Sequence, residues 1–176
     1  MERGTTTSYA GRQVDLELLA PVESPGLVYV AGKVQRLSGP VDPETGFGGR
    51  LLSGVEKVAQ RYARLFLTAA GSVKSNPERG TNMLPLVMSG QVSNMSSLEH
   101  LCAVANATAV LIMRHDDADR SYGSVPDDER LERASIVGVS LERSGGSPYA
   151  AVTVRLTTAA GEGCDFVVPV EAGLSA

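Results

Sequence analysis

Few side chains in this sequence stand at the spacings that catalysis requires. His100 and His115 are the two candidate general bases. The sequence has no glycine-rich phosphate-binding motif and no G-x-S-x-G nucleophile motif. His100 falls in a predicted helix, where a surface histidine is the simpler interpretation. A serine–histidine–aspartate triad stays open, because folding can bring distant residues together. We expect a protein that is not an enzyme and uses no cofactor.

Carboxylates and thiols are the remaining candidates for a metal site. Asp116, Asp117 and Asp119 are closely spaced, but the glycine and the terminal glutamate of an EF-hand loop are missing. A solvated acidic loop is therefore the simpler interpretation. Cys102 and Cys164 stand among apolar neighbours without a CxxC or Cys/His cluster. They are predicted to be reduced, buried thiols rather than a disulfide or a zinc site.

Charge and composition limit the classes of partner. The chain of 176 residues has a net charge of −4, which argues against a general nucleic-acid binder. Lys57, Arg61 and Arg64 could meet an acidic partner from one helix face, or form an ordinary solvated face. No apolar run long enough for a bilayer is apparent, and residues 1–13 lack the apolar segment of a secretory signal. We expect a protein that stays in a cytoplasm, away from membranes.

Two helices are indicated by apolar residues at helical spacing. The first spans Ser53 to Leu67, with Ser53 and Glu56 in a capping box and Thr68 to Gly71 as its end. Its apolar stripe lies opposite the three basic residues and comprises Val55, Val58, Ala59, Tyr62, Leu65 and Phe66. The second begins at a Ser96/Glu99 box and runs to about Arg114. Its apolar face comprises Leu98, Leu101, Cys102, Ala105, Ala109 and Ile112.

Strands dominate the rest of the sequence. A polar loop is predicted at 115–126, a turn of helix at 127–133, and three strands at 135–143, 149–157 and 164–170. The alternation of Val152, Val154 and Leu156 with polar residues is typical of a half-buried antiparallel strand. Gly71 and Gly80 stand where the chain must turn sharply, which predicts left-handed backbone angles.

The N-terminal part differs in composition from the remainder. Residues 1–13 indicate a polar arm, 15–22 a short strand, 27–37 a strand rich in β-formers, and 38–50 a Gly/Pro-rich loop. We therefore divide the chain into an arm and strand extension at 1–50 and a domain at 51–176. The predicted fold class is α+β, with two amphipathic helices packed on a small antiparallel sheet.

Residues 51–84 read LLSGVEKVAQRYARLFLTAAGSVKSNPERGTNML. This segment resembles the baseplate wedge and sheath-initiator family of contractile phage tails, which has relatives in type VI secretion systems. That family has a leucine-rich helix end, a Gly turn, and then a Pro-x-x-Gly turn followed by Leu. Here Leu65 to Thr68, Gly71-Ser72 and Pro77 to Gly80 with Leu84 match those features. The resemblance extends over 51–170, but the family's Glu-Pro-Arg motif is replaced by Glu132-Arg133-Ala134.

The resemblance implies a structural role. Such a subunit lies in the inner baseplate of a virion that is assembled in the host cytoplasm, with six copies around the tail axis. Its partners would be baseplate wedge proteins, tail tube or hub proteins, and the tail sheath protein, whose first ring would add to an exposed strand edge. The expected partner-binding residues are Lys57, Arg61, Arg64, Glu132, Arg133, Val167 and Val168.

Two alternatives remain at this point. The chain could be another tail component, such as a tail terminator or a distal tail protein of a non-contractile phage. It could also be a small hydrolase of the lysozyme type, although the sequence offers no convincing pair of acids in a cleft.

Overall fold

The architecture is that of an α+β protein, as predicted. The computed structural model describes residues 15–16, 51–92, 94–119, 125–144 and 147–171. The predicted arm at 1–13, the strand at 27–37 and the loop at 38–50 lie outside these residues. Two short strands, β1 (Asp15–Leu16) and β2 (Leu51–Leu52), pair antiparallel just before the first helix.

Three helices follow β2. They are α1 (Gly54–Leu67), α2 (Met83–Met88) and α3 (Met95–Ala118). The amphipathic stripe of α1 is confirmed, because Val58, Tyr62, Leu65 and Phe66 are all buried. Helix α2 falls in a stretch predicted to be irregular. Its Pro85 stands in the first helical turn, where the missing N–H costs little.

The predicted capping boxes are wrong in detail. Ser53 precedes α1 in an extended conformation, but its side chain makes no capping hydrogen bond. Instead, the Gly54 N–H points at a carboxylate oxygen of Glu129, 3.5 Å away. Helix α3 is capped by Asn94, whose side chain accepts a hydrogen bond from the Ser97 N–H at 2.8 Å, so it begins before the predicted box.

Helix α3 also ends later than predicted, at Ala118. In this part of the helix, Asp116 forms an ion pair with Arg79 of the loop after α1, and Asp117 forms one with Arg61 of α1. The predicted helical turn at 127–133 is wrong, since β3 already begins at Leu131. The Leu131 side chain is buried and its backbone pairs with Thr158.

The sheet contains β3 (Leu131–Ser144), β4 (Ser147–Thr158) and β5 (Gly163–Glu171) in that order, all antiparallel. Its helix-facing side supplies Val152, Val154 and Leu156 from β4 and Val168 and Val170 from β5, all fully buried. Tyr62 links the helices to this layer, with its ring stacked on Phe66 and edge-on to Phe166.

The two predicted glycine turns are confirmed. Gly71 has φ +81° and Gly80 has φ +109°. A Cβ added at Gly80 would lie 2.5 Å from the Thr68 carbonyl oxygen. Any larger residue at position 80 would therefore force apart the loop between α1 and α2.

Helix α3 corrects one further expectation. It is long and apolar enough, by length and composition, to cross a membrane, although the sequence was interpreted as having no such segment. Core helices of soluble proteins meet the same criterion. One face of α3 is packed in the core through Leu98, Cys102, Ala105, Ala109 and Met113.

Candidate functional site at the two edges of the sheet

The strand order β3-β4-β5 leaves two outer edges, and the hydrogen-bond pattern shows which backbone groups face them. The Thr158 N–H donates to the Glu162 carbonyl at 2.8 Å. Residues of an antiparallel pair alternate between facing their partner and facing away. On β5, the backbone groups of Gly163, Asp165, Val167 and Pro169 therefore point away from β4. On β3, the same alternation turns Ala134 and Ile136 outward.

Helix α3 covers the outer edge of β3. The Asn106 side-chain amide donates to the Ala134 carbonyl at 3.3 Å, and its oxygen accepts from the Tyr62 hydroxyl at 2.6 Å. The Arg114 guanidinium donates to the Glu132 carbonyl, two residues earlier in the strand. Register irregularities next to Glu132 and Val137 interrupt the strand as well. Side-chain caps and bulges of this kind prevent another strand from pairing.

The two halves of the outer edge of β5 differ in their backbone hydrogen-bond donors. Pro169 has no N–H, so the C-terminal half of this edge lacks a donor where a partner strand would need one. The N-terminal half, at Gly163, Asp165 and Val167, carries both donors and acceptors. Within the described part of the chain, no side chain of another element bonds to these backbone groups.

Burial changes along β5 in the same way. Val168 and Val170 are 1% exposed on the helix-facing side. Cys164 and Phe166, on the same side but nearer the start of the strand, are only partly buried and pack against the core. The core is therefore less completely covered beside the unblocked half of the edge.

The surroundings of this half are acidic. Burial, followed by the charges of Asp165 and Glu56, raises the pKa of the Cys164 thiol. Glu162 is exposed, and a Cβ at Gly54 would lie 3.8 Å from its carboxylate and 3.6 Å from that of Asp128. On the opposite face of the sheet, Asp165 accepts two hydrogen bonds from Arg155, which lowers the pKa of that carboxyl group.

The basic face predicted for α1 is largely wrong. Lys57 is buried and forms an ion pair of 2.7 Å with Glu129, and both side chains are at most 4% exposed. Arg61 is mostly buried and contacts Asp117 at 2.6 Å. Arg64 is exposed. Since two of the three cations neutralise carboxylates inside the protein, only Arg64 can present its charge to a partner.

The other predicted partner residues are placed as follows. Glu132 and Arg133 are exposed at the start of β3, next to the capped edge. Val167 is half-buried on the outer face of the sheet, whereas Val168 is buried in the core. The Val168 side chain therefore cannot reach a strand added at the outer edge, and only the backbone groups of its neighbours can contact such a strand. A partner role for these four residues stays a prediction.

The acidic cluster does not converge on one point. Asp116 contacts Arg79 at 2.9 Å, Asp117 contacts Arg61, and Asp119 contacts His115 at 3.2 Å. Among the described residues, no group of three or more potential ligands is arranged to hold a metal ion. Asp117 retains one buried carboxylate oxygen without a hydrogen-bond partner.

Candidate catalytic groups are not brought together either. His100 and His115 are both exposed, about four turns of α3 apart. Both cysteines are free thiols; Cys102 is buried, as predicted, whereas Cys164 is only half-buried. Burial, with a smaller contribution from Glu99, raises the pKa of Cys102 to about 11, which disfavours the nucleophilic thiolate.

Two contributors to the site were not identified from the sequence. Asn106 interrupts an otherwise apolar stretch of α3, and that interruption is a signal for a buried polar contact. Nothing in the sequence around Glu129 indicates burial, because it lies in an acidic run typical of a surface loop. Its partner Lys57 is 72 residues away. No known protein family, curated protein or solved structure matches this chain.

Proposed function

We propose that this protein is a structural subunit of a contractile tail baseplate, an inner wedge component that starts sheath assembly by offering a strand edge. One observation carries the proposal. Among the residues that the structure describes, β5 of the three-stranded sheet pairs with β4 alone, and no side chain of another element bonds to the outward backbone groups of Gly163, Asp165 and Val167. Exposed strand edges bind extended segments of other chains through main-chain hydrogen bonds.

The resemblance of residues 51–84 supplies the biological setting. The segment that carries it forms α1 and the tight loop after it. In that loop, the Thr81 N–H donates to the Thr68 carbonyl at 2.8 Å and the Gly71 N–H donates to the Pro77 carbonyl at 2.8 Å. The positive φ angles of Gly71 and Gly80 in this loop account for the two glycines on which the resemblance partly rests. The partners under this proposal are the tail sheath protein, wedge proteins, and tube or hub proteins, with six copies around the tail axis.

The test needs a change that blocks the edge without removing the strand. Deleting residues 164–176 is unsuitable, because Val168 and Val170 belong to the core. Val167→Pro removes one outward N–H and repeats what Pro169 already does two residues later. We expect particles that carry this variant to have baseplates and tubes without ordered sheath in electron micrographs.

The matched control is Leu141→Pro, at an outward-facing position of β3 on the opposite edge. It should leave sheathed tails intact. Gold-labelled antibody against the protein should mark the baseplate end of extended tails. Normal sheath with Val167→Pro, or labelling elsewhere in the particle, would contradict the proposal.

A further inference from the structure

We propose that α3 pairs, antiparallel, with α3 of a second copy of this chain through its exposed apolar face. That face is formed by Ala103, Val104, Ala107 and Leu111. The dimer is a property of the isolated protein, so it does not rest on the proposed baseplate function. Three features of α3 support it: the composition of the face, the order of large and small residues along it, and the charges at its two ends.

The face is apolar although it points away from the core. Leu111 is 68% exposed and Val104 50%, and Ala103 and Ala107 are exposed as well. At 3.6 residues per turn, all four lie on one side of α3, opposite the residues that it buries. Apolar side chains that are gathered on one exposed surface mark an interaction site, whereas scattered ones need no explanation.

The order of large and small residues fits a second copy of the same helix. If the two-fold axis passes at Ala107, Leu111 of each copy lies against Ala103 of the other, because both are one turn from the axis. Ala107 then meets its own copy, and these small side chains let the helices approach closely. Each large residue thus meets a small one. In a parallel pair, Leu111 would meet Leu111 and the alanines would face a gap.

The charges at the ends of the face match the same arrangement. Glu99 and Arg114 are exposed, flank the face on the same side, and are nearly equidistant from Ala107. An antiparallel pair therefore brings Glu99 of each copy beside Arg114 of the other. Within the described part of the chain, Glu99 forms no ion pair, and the Arg114 guanidinium donates to a neutral carbonyl, that of Glu132. A parallel pair would instead place like charges together.

The first measurement is sedimentation velocity of the full chain. Four apolar residues cover less than the about 800 Å² per partner of a standard interface, so we expect a weak dimer with a dissociation constant on the order of 10–100 μM. Leu111→Glu should weaken association at least about tenfold. Met88→Glu is the matched control and should leave it unchanged, because Met88 is 69% exposed on α2, outside this face.

Charge reversal tests the pairing of the two ends. Glu99→Arg and Arg114→Glu each place like charges together at both ends of the dimer, so each should weaken association by about three- to tenfold. Mixing the two variants should restore it, because the mixed dimer again joins opposite charges at both ends. This restoration also separates the role of Arg114 in the dimer from its bond to the Glu132 carbonyl.

Single cysteines test the direction of the two helices. Ala107→Cys lies at the two-fold axis and should form an intermolecular disulfide under mild oxidation. Ser96→Cys is exposed on the same side of α3, but antiparallel pairing holds its two copies about 33 Å apart along the helix axis. It should therefore not cross-link.

Five results would overturn the inference. They are a chain that stays monomeric up to about 300 μM, a dimer insensitive to Leu111→Glu, a Ser96→Cys cross-link as fast as that of Ala107→Cys, Leu111→Glu-sensitive binding of the monomer to phosphatidylglycerol vesicles, and slow maleimide labelling of Ala107→Cys in dilute protein. The third would indicate parallel helices, the fourth a lipid surface as the occupant, and the fifth the chain's own residues 1–50.

Discussion

The two edges of the sheet differ in how they are protected. On β3, side chains from α3 occupy outward-facing carbonyl groups, through Asn106 and Arg114. On β5, within the described part of the chain, Pro169 is the one residue that interrupts the row of outward-facing donors, and it lies in the C-terminal half of the strand. The two edges of one small antiparallel sheet can therefore differ in availability, because a helix packed along one edge can cover it and leave the other open.

The largest change in the free energy of unfolding is expected at the buried ion pair that precedes β3. Glu129 precedes β3 and pairs with Lys57 in the interior. Glu129→Gln would remove the carboxylate charge 2.7 Å from the buried Lys57 ammonium group, which should lower the free energy of unfolding by about 3–5 kcal/mol in urea titrations. Arg130→Ala, which breaks an exposed pair with Asp127, should change it by less than about 1 kcal/mol. Equal effects of the two variants would show that the buried pair does not anchor this side.

A smaller effect is expected at the closed edge itself. Asn106→Ala leaves the Tyr62 hydroxyl and the Ala134 carbonyl without this partner, at a cost of about 1–3 kcal/mol. Thr108→Ala, two residues along α3, should be nearly neutral because its hydroxyl bonds only within the helix.

The same variant should also change association. Combining Asn106→Ala with Arg114→Ala exposes the β3 edge, so that β3 of one copy can pair with β5 of the next. We expect concentration-dependent association beyond a dimer in sedimentation velocity, which adding Val167→Pro should suppress. A double variant that forms nothing larger than a dimer would show that α3 does not act as the barrier.

Much of this framework could be predicted from the sequence, because it depends on local periodicity. The apolar stripe of α1 and the three strands were placed within a few residues, and Gly71 and Gly80 were identified from the need to turn. The basic face of α1 was misassigned for a physical reason. Lys57 and Arg61 stand opposite the stripe, but they are neutralised by Glu129 and Asp117, 72 and 56 residues away. No local pattern reveals such partners.

The candidate site was predicted in part for the same reason. The meander indicated that its C-terminal strand would have a free edge, and among the described residues β5 pairs with β4 alone. The closure of the opposite edge depends on the Asn106 and Arg114 side chains reaching β3, 28 and 18 residues further along the chain. The two halves of β5 differ because the Pro169 backbone faces the outer edge. Which residues of β5 face that edge is known only once the register with β4 is known.

The smallest effect concerns pH. The hydrogen bonds from Arg155 lower the pKa of Asp165 in the folded protein. The stability contributed by this pair is present above the unfolded pKa of about 3.9 and is lost as pH falls through the lower folded value. We expect Asp165→Asn to reduce the acid-induced fall in melting temperature slightly below about pH 4, with no change near pH 7 beyond a small constant offset. Because the pair spans β4 and β5 at the surface, a large effect would show that β5 is held more by charge than by its core residues.

The most direct measurement of the central claim is amide hydrogen exchange, residue by residue, in the isolated protein. The account predicts that the N–H groups of Asp165 and Val167, which point away from β4, exchange quickly. The N–H groups of Val168 and Val170, which face β4 in the same strand, should be protected. Equal protection of the two sets of N–H groups in the isolated protein would contradict the assignment of β5 as the open edge.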